Sequence, residues 1–255
     1  MSKPKTPDEI QAMREGGAML AQVLDLMESS AKPGITGKEL ALMAAKELKA
    51  LGGKPAFLGV PGGRGVPDFP DVICISISEE VQHGVPKDRV IVDGDVINFD
   101  FGVLHKGLIT DSGRTVGVGN ITKDDKRLLS GTKEALMAGL GQVRAGAKVS
   151  SISAAIEDVL ERHRLGIVLE LVGHGVGHGL HEDPEIPNYR TKGSGDYILR
   201  ENETIAIEPI ATLGSGRINF HEDGWTIVSS DDTNSAQFEH TVLVTASGYE
   251  ILTKA

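Results

Sequence analysis

Apolar residues along this chain recur with two periods, three to four residues in some segments and two in others. Polar capping residues mark where the longer period begins. Thr6-Pro7-Asp8-Glu9 reads as a capping box with Pro at the first helical position. Behind it Ile10, Met13, Gly17, Leu20, Leu24 and Met27 form one helical stripe. Thr36-Gly37-Lys38-Glu39 is a second capping box, followed by Leu40, Ala44, Leu48 and Leu51 and stopped by Gly52-Gly53. Thr122 opens a third helix, expected to reach about Val143. Ser150 or Ser151 opens a fourth, with Ile152, Ile156 and Leu160 on one face and an end near Gly166.

The period of two predicts strands. Val90 to Phe101 and Leu108 to Val118 read as a hairpin turning at His105-Lys106-Gly107. Thr204 to Ile210, Trp225 to Val228 and Gln237 to Val244 read as later strands. The pattern also repeats. Lys32-Pro33-Gly34 before the second helix has a counterpart in Arg144-Ala145-Gly146 before the fourth. Asp93-Gly94-Asp95-Val96-Ile97-Asn98-Phe99-Asp100 lines up with Glu201-Asn202-Glu203-Thr204-Ile205-Ala206-Ile207-Glu208. A repeat this long exceeds a solenoid unit. It implies two α/β halves, about 6–118 and 119–253, related by a pseudo-two-fold axis within a single catalytic domain spanning 1–255.

In that alignment Asp100 falls on Glu208, and Asp111 and Glu239 take matching places one strand later. These four acids sit in apolar surroundings, where an isolated carboxylate costs many kcal/mol. Strand alternation turns them inward. His174 joins them from the glycine-rich loop Gly173-His174-Gly175-Val176-Gly177. Four buried negative charges are balanced by two divalent cations, so the set predicts a dinuclear metal site with Asp100, Asp111, His174, Glu208 and Glu239 as ligands. Oxygen-rich ligation with one imidazole suits Co, Mn, Fe(II) or Zn and does not choose among them. Two such cations acidify water and polarise a carbonyl under attack, which is hydrolase chemistry. His83 and His181, in turns bounded by Gly and Pro, are placed to reach a cleft. His178 lies between His174 and His181 and is ambiguous. The glycine spacing at 173–179 matches neither a dinucleotide nor a P-loop pattern.

Bulk properties narrow the class. The chain has 255 residues, 40% hydrophobic and 24% charged, with one cysteine, Cys74. A lone cysteine excludes an internal disulfide and suits a reducing compartment. No apolar run approaches the length of a membrane span, and the polar start carries no apolar signal region, so a cytoplasmic protein is expected. The net charge of −10 argues against nucleic acid as a main partner.

Taken together, the motifs resemble those of the type I methionine aminopeptidases, from about Thr6 to Thr253. The most similar stretches are Ile75-Ser76-Ile77-Ser78-Glu79-Glu80-Val81-Gln82-His83-Gly84, Gly173-His174-Gly175-Val176-Gly177, His181-Glu182-Asp183-Pro184 and Ser235-Ala236-Gln237-Phe238-Glu239-His240-Thr241. The resemblance implies the pita-bread fold, a curved and mainly antiparallel sheet covered by helices. It implies that Asp100 chelates one metal, Asp111 and Glu239 bridge both, and His174 and Glu208 complete the other, with Glu208 also moving a proton. His83 and His181 would hydrogen-bond the substrate, and Phe57, Phe69, Cys74 and Trp225 would line a methionine pocket. The implied activity is removal of N-terminal methionine from nascent polypeptides when the second residue is small, at the ribosome or free of it, by a monomer.

The family pattern is not matched everywhere. Ser78 stands where Asn is expected, Gln82 where a small or apolar residue is usual, Leu180 where an aromatic is common, and His178 where Arg is common. The loop Pro61-Gly62-Gly63-Arg64-Gly65-Val66-Pro67 is longer than typical. Two other functions compete on the same fold. One is an Xaa-Pro dipeptidase or aminopeptidase, which usually carries an Arg-containing sequence before its last glutamate, unlike Ala236-Gln237-Phe238 here. The other is a metal-free peptide- or ribosome-binding module, which would be expected to have lost ligands that this chain keeps.

Overall fold

The computed structural model describes residues 3–191 and 196–254. Four helices form where caps and stripes coincide: α1 Pro7–Ser30, α2 Gly37–Leu51, α3 Lys123–Leu140 and α4 Val149–Arg162. Thr6, Thr36 and Thr122 each close a reciprocal capping box with the acid three residues on. The fourth helix differs from expectation. It starts at Val149 behind Lys148, which makes no side-chain cap. The donors of Ser150 turn instead to Asp196, with its backbone N–H at 3.0 Å and its hydroxyl at 2.5 Å. A carboxylate distant in sequence supplies what a local cap would have. Helix α3 ends at Leu140 rather than Val143, because the chain tightens into turn bonds from Gln142 to Gly139 and from Val143 to Leu140.

The strands build small antiparallel sheets that meet at the centre. Strand Val96–His105 pairs along one edge with Leu108–Gly117, and along the other with Cys74–Ile77 and Lys54–Pro55. It begins six residues later than the expected Val90, because Gly94 turns the chain with φ +98° and the Asp95 carboxylate accepts from Val92 N–H at 2.8 Å. The second half repeats that device: Asn202 has φ +66°, and the Glu203 carboxylate accepts from Arg200 N–H at 2.8 Å. Gly34 N–H bonds to Ile91 C=O, and Gly146 N–H bonds in the same way to Leu199 C=O.

Two of the expected strands are each broken in two. Thr204–Ile207 gives way to Ile210–Thr212, and Ser235–Gln237 gives way to His240–Val244. Pro209 cannot donate to a ladder, and the break leaves Glu208 and Glu239 where the two ladders part. The expected strand at Trp225 starts only at Ile227. Gly173–Gly175, expected as a loop, is a strand between Thr204–Ile207 and Glu182–Ile186. Its glycines permit close approach, since a Cβ on Gly173 would lie 2.5 Å from Ala206 O and one on Gly175 2.3 Å from Asp183 O.

Alternation then sorts the faces. Ile97, Phe99, Phe101 and Val103 pack under α1 and α2 with Leu24, Met27, Leu40 and Leu48. Ile205, Ile207, Val242 and Val244 pack under α3 and α4 with Leu136, Leu140, Ile152 and Ile156. Each such fully buried side chain contributes roughly 1.5–3 kcal/mol. The opposite faces carry the acids.

Helix α1 also meets the C-terminal residues. A Cβ on Gly17 would lie 2.1 Å from Leu252 O. Ala gains roughly 1 kcal/mol in a helix interior, whereas overpacking costs roughly 1–3 kcal/mol or more. A clash with backbone lies at the severe end, so Gly17→Ala should lower the guanidinium midpoint. An unchanged or higher midpoint would show that residues 252–253 move aside freely.

Candidate metal centre and adjoining pocket

Asp100 and Asp111 face the same interior from neighbouring strands. Their register partners across the hairpin are glycines: Asp100 opposite Gly113, and Asp111 opposite Gly102. A Cβ on Gly113 would lie 2.0 Å from the Gln237 side chain. The glycine therefore leaves room for that amide, which enters from the other half. Asp111, His174 and Glu239 offer ligand atoms all within 4.8 Å of one another. Glu208 Oε1 lies 3.4 Å from His174 Nε2. His174 Nδ1 is 3.0 Å from Gly175 C=O, which holds that nitrogen protonated and leaves Nε2 free to ligate.

A frame of hydrogen bonds supports the acids. Gln237 Nε2 donates to Glu239 at 3.1 Å and, less closely, to Glu208 at 3.4 Å, while its Oε1 accepts from Asn98 at 2.9 Å. Ser112 Oγ donates to Glu239 C=O at 2.6 Å, and Thr241 Oγ1 joins the backbone of Asp111, donating to its C=O at 2.7 Å. Sequence reasoning gave none of these residues a role. The signal was available, because Asn98 and Gln237 each precede a proposed ligand by two residues, the spacing that sets side chains on one face of extended chain.

The donor set fits divalent cations. Asp100 Oδ1, Asp111 Oδ1 and Glu239 Oε1 are buried and accept no hydrogen bond. Burial pushes Asp100 up to about 7, and Asp111, Glu208 and Glu239 also rise, first by burial and then by repulsion from neighbouring carboxylates. Two like charges 4 Å apart repel by about 4 kcal/mol at an effective dielectric of 20. Neither protein donors nor bulk water reach the free oxygens, so the remaining compensation is protons or metal ions.

His83 and His181 line the same cavity, of about 100 Å³, as Asp100, Asp111, His174, Glu208 and Glu239. The rings of His174 and His181 meet edge to face at 4.5 Å. Burial holds His83 and His174 neutral, both down to about 4, and lowers His181 as well. His178 is elsewhere. It is exposed, with Nε2 at 2.7 Å from Glu9.

Next to this cavity lies a second one of about 70 Å³, lined by Phe57, Val60, Phe69, Cys74, Leu180 and Trp225, with His83 and His181 shared between the two. Phe69 meets Trp225 edge to face at 5.2 Å. Trp225 Nε1 donates to Pro67 C=O at 2.8 Å, which ties the loop at 61–67 to a residue of the pocket wall. Burial, then Asp100 and Asp111, push the Cys74 thiol well up. Cys74 is a neutral wall of the pocket and not a nucleophile. A larger cavity, about 800 Å³, opens elsewhere beside Arg114, Lys126, Lys133 and Phe238, and Glu239 is the only one of the five clustered residues on its wall.

Residues 11–246 match the model of metallopeptidase family M24. The chain belongs to that family. Among M24 relatives, methionine aminopeptidase 1 of Bacillus subtilis is 42% identical over 98% of this chain and 98% of its own length. The methionine aminopeptidase of Treponema pallidum is 39% identical over 100% of this chain and 97% of its own. The crystal structure of the Thermotoga maritima methionine aminopeptidase superposes with a TM-score of 0.95 at 37% identity, covering both chains fully. An Xaa-Pro dipeptidase from Bacillus anthracis matches at a TM-score of 0.79 and 22% identity, covering 99% of this chain but 62% of that one, and shares the fold. The fold is the pita-bread arrangement common to these enzymes. An M24 metallopeptidase uses divalent metal, and Asp111, His174 and Glu239 form a buried group able to hold it.

In metal-free protein the raised Asp100 makes a testable signature. Its folded value of about 7 exceeds the ordinary 3.8, so the folded state keeps a proton that the unfolded chain releases. That stabilisation is complete below the unfolded value and is lost as pH rises through about 7. In chelator, wild type should lose stability relative to Asp100→Asn as pH is raised from 5 to 8. Denaturant midpoints of both proteins at each pH measure the gap, and a constant gap would contradict the shift. Excess Mn²⁺ should reverse the trend for wild type, because cations bind deprotonated carboxylates.

Proposed function

We propose that this protein is a methionyl aminopeptidase that hydrolytically removes N-terminal methionine from polypeptides whose second residue is small. The observation that carries the reading is the sharing of His83 and His181 between the acid cavity and the apolar pocket. A side chain in the pocket would present its own peptide carbonyl to the acids. Full-length similarity to methionine aminopeptidases supports the same conclusion.

Two divalent cations, of Co, Mn, Fe(II) or Zn, would be held by Asp100, Asp111, His174, Glu208 and Glu239, acting as one catalytic domain built from two similar halves. Asp111 and Glu239 would be shared between the two positions, Asp100 would belong to one, and His174 and Glu208 to the other. Such cations activate water and polarise a carbonyl. The chain's own groups do the rest. Glu208, whose carboxyl is pushed up by burial, takes a proton from the attacking water and returns it to the leaving amine. His83 and His181, neutral where they stand, donate or accept at the scissile amide without adding charge. Bonds of this kind accelerate the reaction when they strengthen in the transition state. Phe57, Phe69, Cys74 and Trp225 enclose an unbranched thioether in a polarizable hole.

The natural substrates would be nascent polypeptide N-termini, met in the cytoplasm and at the ribosome or free of it, by a monomer. No described helix is long and apolar enough to cross a membrane. The proline-peptidase reading is disfavoured by Ala236-Gln237-Phe238 before Glu239, and its structural relatives share only the fold at 22% identity or a little more or less.

Three peptides test the specificity. Met-Ala-Ser should be cleaved, Met-Leu-Ser poorly, and Ala-Pro peptides not at all, with loss of turnover on chelation. Faster release from Ala-Pro would favour the rival. Trp225→Ala should weaken the preference for Met, because one aromatic wall is gone.

Three variants compared side by side separate the roles of the clustered residues. Asp111→Asn should lose both metal and turnover while its fold largely survives. His181→Ala should keep its metal yet fall by about 10²-fold in kcat, the scale of a lost transition-state hydrogen bond. His178→Ala should be mild, since its partner is the helix-capping Glu9. Metal content and turnover check all three. Metal loss in His178→Ala, or full activity with intact metal in Asp111→Asn, would break the ligand set.

A further inference from the structure

Gln82 has no role in the function proposed above, yet it touches one of the acids. It ends the strand Glu80–Gln82 and is 2% exposed. Its Nε2 donates to Asp100 Oδ2 at 2.6 Å, while its own Oε1 is buried with no partner. The contact fixes the orientation of the amide, because the reverse orientation would set a carbonyl oxygen against a carboxylate oxygen. An unsatisfied buried acceptor is unfavourable, and an apolar side chain would avoid it. The resemblance to the aminopeptidases leads one to expect a small or apolar residue at this position. Its other end, on Asp100, is the only bond that side chain makes among the described residues.

The arrangement of the acids is correspondingly uneven. Asp111, His174 and Glu239 already converge, with ligand atoms all within 4.8 Å. Asp100 is not part of that group. One of its oxygens is taken by Gln82, and Oδ1 is left buried and unpartnered. A carboxylate on a short side chain still rotates about its last bond, and a single charge-assisted hydrogen bond to one oxygen fixes where the other points.

We infer that Gln82 is a positioning residue for Asp100: its N–H bond to Oδ2 sets the rotation of the carboxylate, and with it the direction in which Oδ1 is offered to the cation centre. This rests on the two-cation reading proposed above. The cation position served by Asp100 therefore depends on Gln82. The position at Asp111, His174 and Glu239 does not. Removing a partner that orients a metal ligand lowers metal affinity about 10- to 100-fold, and here the loss falls on one step.

The test is a calorimetric titration of Co²⁺ into chelator-stripped wild type, Gln82→Leu and Gln82→Asn. The leucine has similar bulk without the amide, and the asparagine keeps an amide too short to reach Asp100, so the result does not hang on the folding of one variant. Thermal melting of the stripped proteins checks the fold. Wild type should bind two Co²⁺. Both variants should keep one step and weaken the other by about 10- to 100-fold. The visible Co²⁺ absorption should be unchanged for the first equivalent and altered for the second. Unchanged binding, or both steps weakened or lost together, overturns the role of Gln82 while leaving the proposed function standing. Binding of fewer than two Co²⁺ by wild type overturns the two-cation reading itself, and this inference with it.

Discussion

Mutual repulsion among four buried carboxylates is the constraint around which this fold is arranged. Asp100, Asp111, Glu208 and Glu239 are all buried, and each is destabilised as an anion where it stands. The two apolar layers hold them there. Phe99 and Phe101 flank Asp100 on its own strand and point into the layer under α1 and α2, so Asp100 cannot turn out to water without pulling them from the core. Ile207 does the same for Glu208 under the other pair of helices. Packing energy distributed over many side chains thus stores a charge arrangement that only protons or cations relieve. A structural purpose alone would be served better by apolar residues at the same positions.

The two halves meet the same problem with different backbones. In the first, the hairpin is continuous past both acids, and glycines opposite them make room. In the second, the ladder breaks at Glu208-Pro209 and at Phe238-Glu239. That break lets Gln237 reach across to Asn98 and tie the halves together above the acids. The polar frame is therefore shared between the halves, and each depends on the other for the partners of its buried groups.

His181 and Trp225, which line the apolar pocket, sit on less regular chain, held by contacts remote in sequence. The turn carrying His181 is anchored from the N-terminus, where Lys5 Nζ lies 3.6 Å from Glu182 and Glu9 pairs with His178. Glu9 also closes the cap of α1, which holds its carboxyl down at about 2. The cap that starts the first helix thus also fixes the loop beside the buried acids. On the other side of the pocket, the loop at 61–67 is pinned by the bond from Trp225 to Pro67.

What the sequence determined by itself follows from interactions that are local along the chain. Capping boxes, helical stripes and the alternation of Ile97-Asn98-Phe99-Asp100 depend on neighbours three or four residues away at most, so three helix starts, the hairpin and the inward face of the acids were legible. At the positions that the internal repeat equates, Asp95 and Glu203 accept matching turn hydrogen bonds. Tertiary structure decided what depends on partners distant in the chain. Asp196 moved the start of α4, Ala206 and Asp183 drew the glycines at 173 and 175 into a strand, and Glu9 took His178 away from its neighbouring histidines. The partners of Gln82 and Gln237 were decided in the same way. A contact between residues from separate elements leaves no period in the sequence, because its geometry exists only once those elements have packed.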